Sequence, residues 1–236
     1  EHKKIIELAV KECKGKIPVV AGTGSNSTDE AIELSKFAEK AGSDALLVVT
    51  PYYNKPTQEG LYQHYKKIND NVGIPIIIYN IPSRSVIDMT VETMSKLFEL
   101  KNIVGVKDAT GDLSRADQQL KKMGKEFIQL TGNDDNAFEF NKRGGVGAIS
   151  VTANIAAKLC SEFQNACTKD QNKAIELDKI LQPVHTAMFI ESNPSPVKYA
   201  ASLLGMCNDD VRLPLVKIKK ELKEKVLKAL KDAKIL

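Results

Sequence analysis

The sequence predicts an α/β protein, built from βα units around a parallel sheet and followed by a helical C-terminal part. Three observations predict it. Short runs of Val, Ile and Leu alternate with stretches whose apolar residues recur at helical spacing, the mark of βαβ units. Several runs are apolar almost without interruption, as parallel strands covered on both faces require. After residue 151 the strand signal stops and only helical periods remain.

The elements follow in order. The chain opens on a helical period, Ile5, Ile6, Leu8 and Ala9, without an N-cap. Strands are expected at 17–21, 45–50, 75–80, 103–107, 127–131 and 146–151. Helices are expected between them at 29–41, 58–71, 90–100, 113–123 and 135–143. Thr28, Thr57 and Thr90, with acids just after them, supply helix N-termini. Four more helices are expected at 155–168, 171–190, 195–204 and 213–233. The expected division is a βα domain over 1–170 and a helical domain over 171–236. A closed (β/α)8 barrel needs eight units, and six are visible here behind an orphan helix. The expectation is therefore a TIM barrel lacking its first two units, with a six-stranded open sheet as the alternative. In the open sheet, the opening helix has no strand to follow.

Composition narrows the function classes. The chain has 236 residues, 42% of them hydrophobic, enough for one sizeable core. Its net charge of +4 is spread along helix faces. No dense basic run is interleaved with aromatics, so no nucleic-acid partner is expected. No apolar run approaches the roughly 18 residues of a membrane span, so no membrane partner is expected. Cys13, Cys160, Cys167 and Cys207 form no CxxC, and Cys160 and Cys167 share one helical face, the spacing of core thiols. The expected setting is a reducing one, the cytoplasm, with no structural metal. The opening residues carry no signal or transit pattern.

The chemistry concentrates at strand ends. Lys107 closes the apolar run Asn102–Lys107 and is followed by Asp108. An ammonium at the mouth of a buried strand is costly, because desolvation disfavours the charged form. A lysine lowered in this way is partly neutral near pH 7, and only the neutral amine attacks a carbonyl. Most of the other lysines are solvated helix-face charges. The strand before it ends in Tyr79, and the loop that follows carries Arg84, one of only four arginines. An arginine on a strand-end loop suits planar, bidentate binding of a carboxylate, and a loop salt bridge is the alternative. Tyr52 and Tyr53 end the second strand between two prolines. Neighbours on extended backbone point opposite ways, so one phenol can face a site and the other away; two packing tyrosines are the alternative. Gly132 follows the fifth strand, and the glycines at 144, 145 and 147 lie in the segment that ends with the sixth. They permit close backbone approach to a small ligand, with simple turn chemistry as the alternative. Asp134 and Asp135 have no third ligand at metal spacing.

In order and spacing, the segments AGTGSNST, VTPYYNKP, YNIPSR, GVKDATG and GAISVTAN resemble the pyruvate-dependent class I aldolase superfamily that includes N-acetylneuraminate lyase. The resemblance covers the whole chain. The arginine of YNIPSR is similar to that of the lysine-pathway synthase branch. The resemblance implies a (β/α)8 barrel with a helical C-terminal domain, assembled as a homotetrameric dimer of dimers. It implies condensation of pyruvate with aspartate semialdehyde through a Schiff base on Lys107, with no metal or organic cofactor. Tyr79 would be the phenol beside the imine, Arg84 would bind the semialdehyde carboxylate, and Ile149 would contact the keto acid. Tyr53 would reach into a partner subunit's site to complete a proton relay. Lysine feedback would act at His2, Asn26, Glu30 and Tyr52. The family's Gly-Thr-Thr-Gly-Glu loop, which links the two tyrosines through a threonine, has no counterpart here. The expectation is thus a member without two βα units and with weakened activity. Another pyruvate aldolase, or a catalytically dead remnant, remain as other readings.

Overall fold

A computed structural model describes residues 1–236. Contacts divide the chain into two compact units, 1–131 with 143–146, and 132–142 with 147–236. The sequence-based boundary at 170/171 falls between α8 (Ala153–Lys169) and α9 (Gln171–Met188), whereas these units are set by packing.

The first unit opens on α1 (His2–Cys13) and then alternates β1 (Val20–Gly22), α2 (Thr28–Ala41), β2 (Ala45–Val49), α3 (Gln58–Asn69) and β3 (Ile76–Asn80). A single turn, α4 (Pro82–Ser85), precedes α5 (Val91–Phe98), β4 (Ile103–Asp108), α6 (Ser114–Met123) and β5 (Ile128–Thr131). The strands pair in parallel and in chain order. Leu46, Val48, Ile76, Ile78 and Val106 are buried in one core with Leu61, Ile68, Met94 and Leu97 of the helices. Leu47, Val49, Tyr79 and Lys107 alternate with them and are only half-buried, on the opposite face. Burial on one face and access on the other set up a site at the strand ends.

Several expected boundaries move, each for a local reason. The first strand begins at Val20 rather than 17, and Ile17 is 63% exposed. Pro18 has no N–H to offer, and the Val19 N–H donates to Asp44 Oδ2 at 2.7 Å. The cap of α2 is Ser27, whose hydroxyl accepts from the Glu30 N–H. Thr28 is the first helical residue, and its hydroxyl bonds His64 Nδ1 at 2.9 Å instead. Thr57 and Thr90 cap α3 and α5 as expected. The turn α4 was not foreseen; Pro82 opens it and the Ser85 hydroxyl donates back to the Ile81 carbonyl.

The second unit holds a 3-10 turn (Asp134–Asn136), α7 (Ala137–Lys142), β6 (Gly147–Ala148), α8 (Ala153–Lys169), α9 (Gln171–Met188), α10 (Ser195–Leu203) and α11 (Lys220–Asp232). The strand expected at 146–151 is two residues long. The Val151 and Thr152 N–H groups turn to the Asp134 carboxylate at 2.9 and 3.1 Å, which leaves no ladder for them. The last helix starts at Lys220 rather than 213. The segment before it is held in a loop, with the Ser195 hydroxyl donating to the Val216 carbonyl and the Lys219 N–H to Glu191. Cys160 lies buried in the core of α7, α8 and α9 and Cys167 packs against it, the place their spacing indicated. No helix is long and apolar enough to cross a membrane.

Candidate active site

Lys107 and Tyr79 stand side by side because β3 and β4 bring them into register as direct partners. The Lys107 Nζ sits over the Tyr79 ring, 3.8 Å from its centroid. Such contact favours this placement of the amine, since the ring face attracts a cation. Burial pushes the Tyr79 hydroxyl above its ordinary pKa, and the nearby Arg84 guanidinium pulls the other way without cancelling it. The phenol is therefore protonated at neutral pH and suited to give a proton and take it back.

Beside this pair lies a cavity of about 380 Å³, with Gly22, Gly24, Tyr52, Tyr79 and Arg84 in its wall and Leu47 and Val49 as its apolar floor. Gly24 has no substitute here, because a Cβ would lie 2.4 Å from the Val49 backbone nitrogen. The cavity combines an apolar floor with a phenol and a guanidinium, a lining suited to a small carboxylated molecule.

The tyrosine pair separates, but through a left-handed turn at Tyr53 rather than through the extended backbone expected there. Tyr52 lines the cavity, while Tyr53 is 84% exposed and adopts φ 75°. Its loop is fastened by the Asn54 side chain, which donates to the Asn26 carbonyl at 2.9 Å. Of the four residues implied for lysine feedback, His2 Nε2 lies 2.7 Å from the Gly22 carbonyl. Glu30 accepts from the Ser25 hydroxyl, Asn26 holds the Tyr53 loop, and Tyr52 borders the cavity.

Gly132 and Ile149 belong to the second unit. Gly132 is its first residue, and Ile149 directly follows β6. Asp134 is not arranged as a cation ligand; its carboxylate is taken up by the Val151 and Thr152 N–H groups. The Thr152 hydroxyl in turn bonds His185 Nδ1 at 2.7 Å. Burial lowers the pKa of His185, with Asp134 pulling weakly the other way. No group of three or more His, Cys, Asp or Glu side chains is placed to hold a metal ion.

Sequence reading passed over a buried polar cluster behind the strand ends. Asp108, only 3% exposed, accepts from Arg115 Nε and Gln119 Nε2, both at 3.0 Å. Arg115 also donates to Asp88 Oδ2 at 3.3 Å and to the Met89 carbonyl at 2.7 Å. The Asn80 side chain donates to Asp88 Oδ1 and accepts from the Met89 N–H. The signal was available: arginine is as scarce at 115 as at 84, in a chain that otherwise uses lysine.

An amine and a phenol at the ends of neighbouring parallel strands, with a guanidinium on the turn that follows one of them, make a site suited to a small carboxylated carbonyl compound on an α/β, barrel-like fold. Comparison with known proteins makes the class specific. A dihydrodipicolinate synthetase family profile matches residues 1–233. The chain is 71% identical to 4-hydroxy-tetrahydrodipicolinate synthase of Pelagibacter ubique, with all of this chain and 82% of that protein covered. It also superposes on the chloride-inhibited dihydrodipicolinate synthase of Acinetobacter baumannii complexed with pyruvate. That match has a TM-score of 0.97 and 45% identity, and covers 100% of this chain and 81% of the other. The synthase of Cyanidioschyzon merolae with lysine bound matches at a TM-score of 0.95 and 33% identity, over 100% and 81% of the two chains. The chain belongs to the dihydrodipicolinate synthetase family.

Proposed function

We propose that this chain condenses pyruvate with L-aspartate 4-semialdehyde on Lys107, giving 4-hydroxy-tetrahydrodipicolinate in lysine biosynthesis. The observation that carries the reading is the Lys107 amine held over the Tyr79 ring at the paired ends of β3 and β4. The unprotonated amine adds to C2 of pyruvate, and loss of water gives an imine. A methyl proton leaves to form the enamine, whose carbon attacks the aldehyde, and the aldehyde oxygen is protonated to a hydroxyl. The amino group of the former semialdehyde then adds to the imine carbon, closes the ring and expels the Lys107 amine. One water is released overall.

Tyr79, with its phenol kept protonated by burial, is suited to deliver and recover the protons of these steps. Arg84 in the cavity wall binds the semialdehyde carboxylate as a planar, charge-assisted partner. Tyr53 points to solvent from its own cavity, which supports a role in a partner subunit's site within a homo-oligomeric dimer of dimers. Lysine, bound by the Cyanidioschyzon merolae relative, acts here as a feedback ligand at His2, Asn26, Glu30 and Tyr52.

The test is reductive trapping. Borohydride in the presence of pyruvate should fix a pyruvyl adduct on Lys107, read by peptide mapping. An adduct on another lysine, or none, overturns the assignment.

A further inference from the structure

We infer that Arg115 is a positioning residue, setting the Arg84 loop against the Lys107 strand end and so governing use of the second substrate rather than imine formation. The inference rests on the roles proposed for Lys107 and Arg84.

The geometry is a pair of clamps on one short stretch of chain. Asn80 directly follows Tyr79, and Asp108 directly follows Lys107; the two are register partners at the ends of β3 and β4. From β3, the Asn80 amide holds Asp88 Oδ1 at 2.7 Å and the Met89 N–H at 3.0 Å. From β4, Asp108 holds Arg115 Nε at 3.0 Å, and Arg115 reaches on to Asp88 Oδ2 and the Met89 carbonyl. Asp88 and Met89 close the loop that leaves β3 through Ile81 and carries Arg84. Both strand ends that bear the reacting pair thus grip the same two residues, and Arg115 is the only link from the Lys107 strand to them among these bonds.

Two further observations separate positioning from mere support. Asp108 Oδ1 already accepts from the Thr110 N–H and hydroxyl, and Gln119 bonds Oδ2, so the carboxylate has partners without a guanidinium. Burying a guanidinium is costly unless its geometry is used, and here its fork spans three acceptors on two segments. Within the loop, Val86 adopts φ 68°, a region a β-branched residue enters only when its surroundings impose it. The Ser85 hydroxyl, bonded to the Ile81 and Ile87 carbonyls, holds the turn from within. The clamps at Asp88 and Met89 fasten its far end to both strands and so set where the turn, with Arg84, stands against them.

The experiment compares Asp88→Ala and Arg115→Lys with the parent and with Arg84→Ala, following steady-state kinetics, borohydride labelling and the thermal midpoint. Asp88 is half-exposed, so its replacement keeps the fold even if Arg115 variants lose stability. A displaced Arg84 should raise the KM for aspartate semialdehyde about ten- to a hundredfold, since small misplacements of a binding group cost this much. Labelling of Lys107 and the KM for pyruvate should stay within about twofold of the parent under the same argument. Arg115→Lys, with its charge but not its fork, should show the same split. An equal rise in both KM values, or a fall in thermal midpoint with neither KM changed, overturns the inference. A normal semialdehyde KM in Asp88→Ala beside a raised one in Arg84→Ala refutes the inference alone. Absence of labelling in the parent, or an unaltered semialdehyde KM in Arg84→Ala, refutes the underlying reading and the inference with it.

Discussion

Acid should loosen this protein through His64 before its carboxylates are reached. His64 lies on α3, 5% exposed, with Nδ1 2.9 Å from the Thr28 hydroxyl and Nε2 without a hydrogen-bond partner. Burial lowers its pKa from 6.5 to about 4. The sign follows directly. Between these values the unfolded chain binds a proton that the folded chain refuses, so stability falls as pH falls. The loss starts just below pH 6.5 and is complete near pH 4. At about 1.36 kcal/mol per pKa unit, it amounts to roughly 3 kcal/mol. His185, lowered by burial in the same way, acts in the same direction and must be held constant. The perturbation is therefore His64→Gln, which removes one titration and leaves the other. Urea unfolding followed by far-UV circular dichroism at pH 7, 6, 5 and 4 gives stability against pH for both proteins. The variant should be flatter over this window, its deficit or excess relative to the parent shifting by about 3 kcal/mol between pH 7 and 4. Parallel curves would refute the argument that burial of this imidazole sets the acid limit.

Two other outcomes are expected. Gly105→Ala would place a Cβ 2.2 Å from the Ile128 carbonyl oxygen, on the backbone of the next strand, and should lower stability by about 3 kcal/mol, read as a thermal midpoint roughly 6–12 °C lower. Gly22→Ala meets nothing within 4 Å and should leave the midpoint unchanged, so a similar drop in both would reject the clash as the cause. Tyr53→Phe should reduce turnover by a factor of about 10² to 10⁴ while Lys107 still traps pyruvate. Mixing that variant with Lys107→Ala chains should restore part of the activity, because mixed pairs retain one complete site; full activity in Tyr53→Phe alone would remove the tyrosine from the relay.

Local pattern alone was enough for much of this protein. Val, Ile and Leu runs marked β2, β3 and the start of β4, where one face is buried in the core and the other is still partly covered. β5, which carries Gln129 and Thr131, was marked only by its place in the alternation. Threonine followed by an acid placed the starts of α3 and α5, where a cap acts within three residues of itself. Position at a strand end singled out Lys107, Tyr79 and Arg84, and motif order pointed to the family the comparisons establish. What the sequence could not decide depended on residues far apart in the chain. Asp44 withdraws the Val19 N–H from the first strand, and Asp134 takes two N–H groups from the sixth. Arg115 meets Asp88 across 27 positions, a distance no local period reports. The pairing of the two reacting side chains is decided the same way. At Ile76 the β3 register matches Ile103, which if continued would set Tyr79 opposite Val106, on the buried face. A one-residue shift between Ile76 and Ile77 sets Tyr79 opposite Lys107 instead. Side chains alternate faces with every residue, so that single irregularity in a parallel ladder, fixed by packing between strands, brings phenol and amine to the same side.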